Sequence, residues 1–322
     1  MNSMPLFFDD DLAMPSGNAA VASTHIATGV APAALVHAVV GLGRFGSTHA
    51  RRLAGLPGFQ LRAMVDPFAA LPLDPALGSL PLLRHVDELP LDITSATVAT
   101  SDTAHADVSL ELMARGCHVL VEKPLCLTVA DGMRMLQAAR QQGVTLCTGH
   151  IERFNPLLHD GCRALLREAA RRHHGKRDPF LHFRRSSSRP GAATDSVLDL
   201  MVHDLDLMAW LCGISNGAPL ELIDRQVSAT AVCARVQIGG WVAVFESGLG
   251  ATVPEAVIQA QTEGGPLALD LRSPEARRHL GMDPLCQQYV AFSRAIRGKS
   301  SAIATGDDGL AAVERACRIL EA

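Results

Sequence analysis

Alternating strand and helix signals over residues 35–150, then a run of successive strands over 221–271, predict an α/β protein in two parts. The first part reads as a doubly wound parallel sheet, because strands and helices of these lengths alternate throughout it. The second reads as an α+β domain with an open, mainly antiparallel sheet, because its strands follow one another without intervening helices. A third observation ties the first part to a ligand. The apolar run Ala38-Val39-Val40 feeds the turn Gly41-Leu42-Gly43-Arg44-Phe45-Gly46, a G-x-G-x-x-G sequence, and a helical pattern follows it.

In that turn Gly41 permits the tight bend out of the strand, and Gly43 lets the backbone approach a pyrophosphate. Gly46 lets the helix lie close to the strand, and the helix start offers free N–H groups to phosphate. Arg44 and Phe45 lie within the turn and are counted with it. The next strand, Gln60–Val65, ends in Asp66, about 20 residues beyond the last glycine, where such folds place the acid that binds a ribose hydroxyl. An acid there repels a 2′-phosphate, and Pro67 and Phe68 supply no arginine to hold one. NAD is therefore expected rather than NADP.

Residues 1–34 carry Asp9-Asp10-Asp11, several Gly, Pro and Ala, and no sustained periodicity, so they are expected to form a disordered or loosely packed arm. From Leu35 the pattern is strand 35–41, helix 45–56 and strand 59–65. Ile93–Thr100 is a β-rich run ending in the helix-start signature Ser101-Asp102-Thr103. Helix 104–115 stops at Gly116, strand 117–121 delivers Glu122-Lys123-Pro124, helix 128–142 ends at Gly143, and strand 144–148 ends at Gly149-His150. Gly41–Gly46, Asp66, Thr100–Asp102, Glu122–Pro124 and His150–Asn155 thus all fall at strand ends, the edge where parallel sheets bind ligands. Thr100, Ser101, His105, Glu122 and Lys123 join the turn and Asp66 as candidate cofactor contacts. The dinucleotide-binding domain is assigned to 35–151 and the second domain, for substrate and oligomer contacts, to 152–322.

Past Pro156 an amphipathic helix spans Leu157–Arg172, a strand begins at Phe180, and a helix covers about 196–212. Helices at 284–297 and 307–321 close the chain. The helix at 196–212 is apolar around most of its circumference and should be buried. Yet Asp195, Asp199, His203 and Asp206 recur along one stripe, with Asp199 and His203 four residues apart. A carboxylate beside an imidazole fixes its tautomer and stabilises the imidazolium, which suits a general base near neutral pH. A solvated stripe would ordinarily carry Lys, Arg or Glu instead. Metal binding by Asp199, His203 and Asp206 would need a further well-placed ligand, and no metal is expected. Lys123, just past a buried strand, is suited to hydrogen-bond a substrate hydroxyl and hold alkoxide character. The cluster Arg167, Arg171, Arg172, His173, His174, Lys176 and Arg177 reads as a solvated helix end rather than a diphosphate site.

With 29 basic and 33 acidic residues and a net charge of −4, the composition gives no reason to expect a nucleic-acid partner. No apolar run approaches the roughly 18 residues a membrane span needs. Eight cysteines without a C-x-x-C pair read as reduced thiols of a cytoplasmic protein.

Thr100-Ser101-Asp102-Thr103-Ala104-His105, the Glu122-Lys123-Pro124 loop and the later Asp199-x-x-x-His203 resemble the glucose–fructose oxidoreductase/inositol dehydrogenase (Gfo/Idh/MocA) family over about residues 36–322. Gly306-Asp307-Asp308-Gly309-Leu310 is similar to the start of that family's terminal helix. The resemblance implies a Rossmann domain plus a C-terminal domain whose sheet often forms a homo-oligomer, a dimer or tetramer. It implies NAD(P)-dependent oxidation of a sugar or cyclitol hydroxyl, with His203 as acid/base, Lys123 stabilising the alkoxide and Asp199 binding substrate or orienting His203. Gly149-His150-Ile151-Glu152-Arg153-Phe154-Asn155-Pro156, together with Leu198-Asp199-Leu200-Met201-Val202-His203-Asp204-Leu205-Asp206, looks like the nucleotide-sugar branch, whose members oxidise the 3-hydroxyl of UDP-N-acetylglucosamine or its uronic acid. Arg153 and Asn155 are the candidate sugar or phosphate contacts. Ala192–Val197 replaces the glycine-rich lead-in of many members. The alternatives are a free-sugar or cyclitol dehydrogenase, an enzyme that retains its cofactor for elimination chemistry, and a non-catalytic NAD-binding sensor or partner subunit.

Overall fold

The computed structural model describes residues 33–69, 77, 80–158, 160–274, 276 and 282–321, so the arm expected over 1–34 lies outside it except for its last two residues. The first sheet is built from β1 (Leu35–Val40), β2 (Phe59–Val65), β3 (Leu82–Leu83), β4 (Ser95–Val98), β5 (His118–Glu122) and β6 (Leu146–Gly149). Helices α1 (Arg44–Leu53), α2 (His105–Ala114) and α3 (Val129–Gln142) connect them. The strands are parallel and lie side by side as β3-β2-β1-β4-β5-β6. Every residue of β4 is buried, as expected of a strand covered on both faces. Helix α3 starts on Thr128, whose hydroxyl accepts from the Asp131 amide at 3.1 Å, and stops at Gly143 with φ of 65°. The strand order reverses direction between β1 and β4, which opens a crevice beyond their carboxyl ends.

The second part contains α4 (Asp160–His173), β7 (Leu181–Ser187), a π-helical turn at Val197–Met201 that runs into α5 (Val202–Cys212), and five further strands. These are β8 (Leu220–Val227), β9 (Ala231–Ile238), β10 (Trp241–Leu249), β11 (Ala256–Thr262) and β12 (Gly265–Asp270). They form a six-stranded sheet ordered β12-β11-β7-β10-β9-β8, antiparallel except between β7 and β10. Strict alternation in β9 buries Val232, Ala234, Val236 and Ile238 against a core shared with Phe183, Phe245, Leu205 and Met208. His182, Arg184, Cys233 and Arg235 stand half-exposed on the other face.

The end of the chain departs from the expected division at residue 151. After α6 (Pro284–Ile296), β13 (Ala304–Thr305) pairs antiparallel with β6 and extends the first sheet. Tyr289 and Phe292 of α6 pack with Val39, Met64 and Leu120 of that sheet. The last helix, α7 (Gly306–Glu321), places Leu310 and Val313 in another core of the first sheet, and Ala316 and Ile319 in the core of the second. A parallel sheet needs apolar cover on both faces, and the C-terminal helices supply part of it. No helix among the described residues is long and apolar enough to cross a membrane.

Candidate active site

The crevice between β1 and β4 widens into a cavity of about 920 Å³, near the upper end for small-molecule pockets. Its wall includes Gly41, Gly43, Arg44, Phe45, Asp66, Thr100, Ser101, His105, Glu122, Lys123 and Asp199. All but Gly46 of the candidate cofactor contacts therefore meet in one place. Gly46 serves from behind: a Cβ there would stand 1.7 Å from the Gly41 carbonyl oxygen, so only glycine lets α1 start so close to β1. Gly41 has φ of 90°, and a Cβ there would collide with the backbone of Ala99 and Thr100.

The residues fit a dinucleotide. Gly43 is the N-cap of α1 and supplies no side-chain cap, and the first turn holds no acid. The opening N–H groups are thus left for an anion. Asp66 is more committed than the sequence implied. Its Oδ2 accepts from the Leu42 amide at 2.7 Å, and its Oδ1 from the amides of Phe68 at 2.7 Å and Ala69 at 2.8 Å. Partial burial favours the neutral acid, but those three amides and Arg84 hold the carboxyl below its usual range. A carboxylate has about four acceptor positions, so one remains for a ribose hydroxyl. Arg84 also lines the cavity, a basic neighbour that sequence reading missed because it stands at the end of β3. Its Nη1 donates to the carbonyls of Asp66, Pro67 and Ala69.

At the β5 end, Lys123 Nζ donates at 2.9 Å both to Asp199 Oδ1 and to the Asp199 carbonyl. Arg189, in the loop after β7, donates from Nη2 to Asp199 Oδ2 at 2.8 Å and lines the same cavity. Burial opposes ionisation of Asp199, but Lys123 and Arg189 hold it below the usual carboxylate range. This corrects the expected Asp199–His203 pair. Both carboxylate oxygens go to cations, and the π-helical turn at Val197–Met201 breaks the regular spacing that would stack the two side chains.

His203 instead packs its ring edge-on against His150, with centroids 6.0 Å apart, and its buried Nδ1 has no hydrogen-bond partner. It is not among the residues that line the cavity. Burial, reinforced by Lys123, Arg185 and His150, pushes its imidazole well below the ordinary histidine value, so it is neutral at neutral pH. A neutral imidazole can accept a proton.

Arg153 and Asn155 are turned inward. Arg153 makes a two-bond pair with Asp206, through Nε to Oδ2 at 2.8 Å and Nη2 to Oδ1 at 2.5 Å, and reaches Asp308 at 3.3 Å. Asn155 donates to Glu152 Oε2 and the Leu271 carbonyl and accepts from the Leu157 amide. Asp206 is likewise spent on Arg153, which removes it from any metal site. Behind the site Arg185 joins Asp204, at 2.8 Å, to Glu152, at 2.8 Å. Sequence reading missed Arg185 and Arg189, since a basic pair flanking three serines resembles a solvated loop. The basic cluster at the end of α4 behaves as expected, with Arg171 and Arg172 on Glu168 and Arg172 also on Glu263.

Comparison with known proteins agrees with this geometry. The model of Gfo/Idh/MocA, an oxidoreductase family with an NAD-binding Rossmann fold, matches residues 35–150. A 1,5-anhydro-D-fructose reductase of Ensifer adhaerens is 31% identical over 251 residues, 68% of this chain and 74% of that protein. A UDP-N-acetylglucosamine 3-dehydrogenase of Acidithiobacillus ferrooxidans is 28% identical over 177 residues, 54% of this chain and about half (53%) of its own length. The solved structure of a UDP-N-acetylglucosamine 3-dehydrogenase from Acidithiobacillus ferrooxidans shares the fold at a TM-score of 0.71 and 20% identity, covering 89% of this chain and 96% of that one. GenD2 from gentamicin A biosynthesis, in complex with NAD, does so at 0.68 and 20% identity, covering 90% and 94%. With its glycine turn, its Glu122-Lys123-Pro124 loop on the same cavity and a 31% identical relative matched over most of its length, the chain belongs to the Gfo/Idh/MocA family of NAD-binding oxidoreductases.

Proposed function

We propose that this protein oxidises a ring hydroxyl of a sugar derivative, most specifically the 3-hydroxyl of a UDP-N-acetyl-hexosamine or its uronic acid. The observation that carries the reading is the Lys123–Asp199–Arg189 cluster on the wall of the cavity that also contains the glycine turn. NAD bound there supplies the hydride acceptor. Lys123 donates to the substrate hydroxyl oxygen and stabilises the charge that grows as the C–H bond breaks. Asp199 fixes the Lys123 ammonium through two bonds from one residue. His203, neutral and with a ring only half-buried, takes the hydroxyl proton on the nitrogen other than the buried Nδ1. The products are the ketone, NADH and the proton held on His203. Arg189, exposed on the cavity wall and bonded to Asp199, suits a substrate carboxylate or diphosphate.

A free-sugar substrate is the second reading. It is favoured by the inward commitment of Arg153 and Asn155, which leaves fewer groups for a nucleotide, and by the name of the Ensifer relative. The oligomer in this reading is a dimer or tetramer built on the open face of the second sheet, checked by light scattering. Thermal stability with NAD, UDP-N-acetylglucosamine and free N-acetylglucosamine, singly and in pairs, decides the substrate, since ligands that bind the native state raise the melting temperature. A shift with NAD that grows with the UDP-sugar, followed by NADH formation, supports the first reading. Growth with free sugars alone moves the assignment to the second. The absence of NADH formation with every sugar tested rejects both.

A further inference from the structure

A string of buried polar side chains leads from the cavity into the first core, and the chemistry above does not use it. Glu122 Oε1 lies 3.0 Å from His49 Nε2 on α1. His49 Nδ1 is 2.7 Å from the Tyr289 hydroxyl on α6, which is 2.9 Å from Thr97 Oγ1 on β4. Thr97 continues to His37 Nε2 on β1 at 2.9 Å, and His37 Nδ1 ends on Ser95 Oγ at 2.8 Å. All five residues behind Glu122 are at most 1% exposed. Burying five polar groups is costly unless each is satisfied, and apolar side chains would fill this volume without that requirement.

The proton order in the string follows from chemistry. Burial opposes ionisation of Glu122, but His49, Lys123 and His105 hold its carboxyl below the usual range, so it only accepts. His49 Nε2 must therefore donate to it. When the ring carries only that proton, Nδ1 accepts from Tyr289, Tyr289 accepts from Thr97, Thr97 from His37, and His37 from Ser95. When the ring carries two protons, all four links reverse. A hydroxyl can donate or accept, so Tyr289 satisfies Nδ1 in both cases. Glu122 meets the same N–H either way. On its other side Glu122 packs over Gly149, where a Cβ would come within 2.7 Å of Oε1.

We propose that Tyr289 and His49 are positioning residues for the cofactor site: they hold the Glu122 carboxylate in one orientation, with one fixed donor, as a preformed part of the wall that receives NAD. This rests on reading the cavity as the NAD site. Tyr289→Phe keeps the ring and its edge-on contacts with His37 and His49, and deletes only the hydroxyl.

The test is a double-mutant cycle on NAD affinity by calorimetry, combining Tyr289→Phe with Glu122→Gln. Tyr289→Phe should weaken NAD binding roughly three- to tenfold in the parent protein and leave the Glu122→Gln protein unchanged, as expected when one hydrogen bond fixes a charged group. Equal losses in both backgrounds would mark a merely structural role, and no loss in either would also overturn the proposal. Thr97→Val, one link further, should act in the same direction and more weakly. Nitrogen-15 histidine spectra of the protein without NAD give a separate readout: His49 should carry its proton on Nε2, and a proton on Nδ1 alone would reject the string as drawn. Failure of the parent to bind NAD would reject the cavity reading, while the spectra would still decide the string.

Discussion

Replacing Lys123 by Met keeps a side chain of similar length and deletes the ammonium. Two consequences separate. For stability, Lys123 loses its bonds to Asp199 Oδ1 and to the Asp199 carbonyl, both 2.9 Å. The two side chains are 15% and 23% exposed, and Arg189 still holds Asp199 Oδ2, so Asp199 is not left unpaired. The loss should be about 1–2 kcal/mol, between an exposed pair and a fully buried one. At this chain length that lowers the melting temperature by roughly 1.5–3 °C. For turnover, removing the donor aimed at a developing oxyanion costs about 10²–10³ in kcat, or ~3–4 kcal/mol. Following NADH absorbance with saturating NAD and sugar, together with a fluorescence titration of NAD, reads both quantities. The variant should lose about 100-fold or more in kcat while NAD affinity stays within about threefold of the parent. Lys123→Arg should restore little, because a planar fork does not reproduce a compact ammonium. A kcat within about threefold of the parent would refute the assignment. NAD affinity falling in step with kcat would place Lys123 in cofactor binding instead of chemistry.

Other perturbations test the scaffold. Arg185→Met leaves Asp204 and Glu152 buried without their cation, which should cost about 3–5 kcal/mol and lower the melting temperature by roughly 4–8 °C by calorimetry. Gly46→Ala puts a Cβ 1.7 Å from the Gly41 carbonyl oxygen, so NAD binding by calorimetry should be lost even where circular dichroism shows a folded protein. Stability should fall as pH drops through the ordinary histidine range. Burial, helped by the neighbouring His49, lowers His37 to about 3, so below about pH 6.5 the unfolded chain takes a proton that the folded one refuses. From pH 8 to pH 5 that difference removes about 2 kcal/mol through His37 alone, and His203 and His150 act in the same direction. Asp66, Glu122 and Asp199, whose carboxyls are held low, add a second loss below about pH 4. Urea midpoints between pH 8 and pH 3 check this, and a flat profile down to pH 5 would contradict it.

What was legible in the sequence follows from how local each cause is. The glycine turn, the capped helices and the alternating strands depend on neighbours a few residues apart, and they appear where periodicity and cap residues put them. The edge that gathers Gly41, Asp66, Thr100 and Lys123 follows from sheet handedness, so it was legible too. Pairings between distant segments were not. Arg153 sits in a loop that looks like a ligand contact, but Asp206 and Asp308, 53 and 155 residues further on, take its guanidinium. The π-helical turn at Val197–Met201 leaves no trace in the apolar pattern, and it separates Asp199 from His203. His37 reads as an odd residue in an apolar strand because its partner Thr97 is 60 positions away and Tyr289, 252 positions away, is what connects that pair to His49.

The same long-range pairings explain why one polar group on the buried stretch 197–212 is available for chemistry. Its three carboxylates are each taken by a cation from a different part of the chain: Asp199 by Lys123 and Arg189, Asp204 by Arg185, and Asp206 by Arg153. These four cations come from the end of β5, from β7, from the loop after β7 and from the turn after β6, so they pin the stretch to both sheets at once. A helix held this way cannot swing, and the imidazole it carries keeps its place beside Lys123. Of the acid and imidazole groups on this stretch, only His203 has a buried ring nitrogen without a partner. An unpaired buried nitrogen costs stability, and it persists where the surrounding structure over-determines it. His203→Phe should therefore raise the melting temperature or leave it unchanged while abolishing turnover. His203→Gln should also abolish turnover without that gain in stability. Residual turnover near that of the parent in either variant would remove His203 from the role of base, and a large fall in stability would show that its ring nitrogens are satisfied after all.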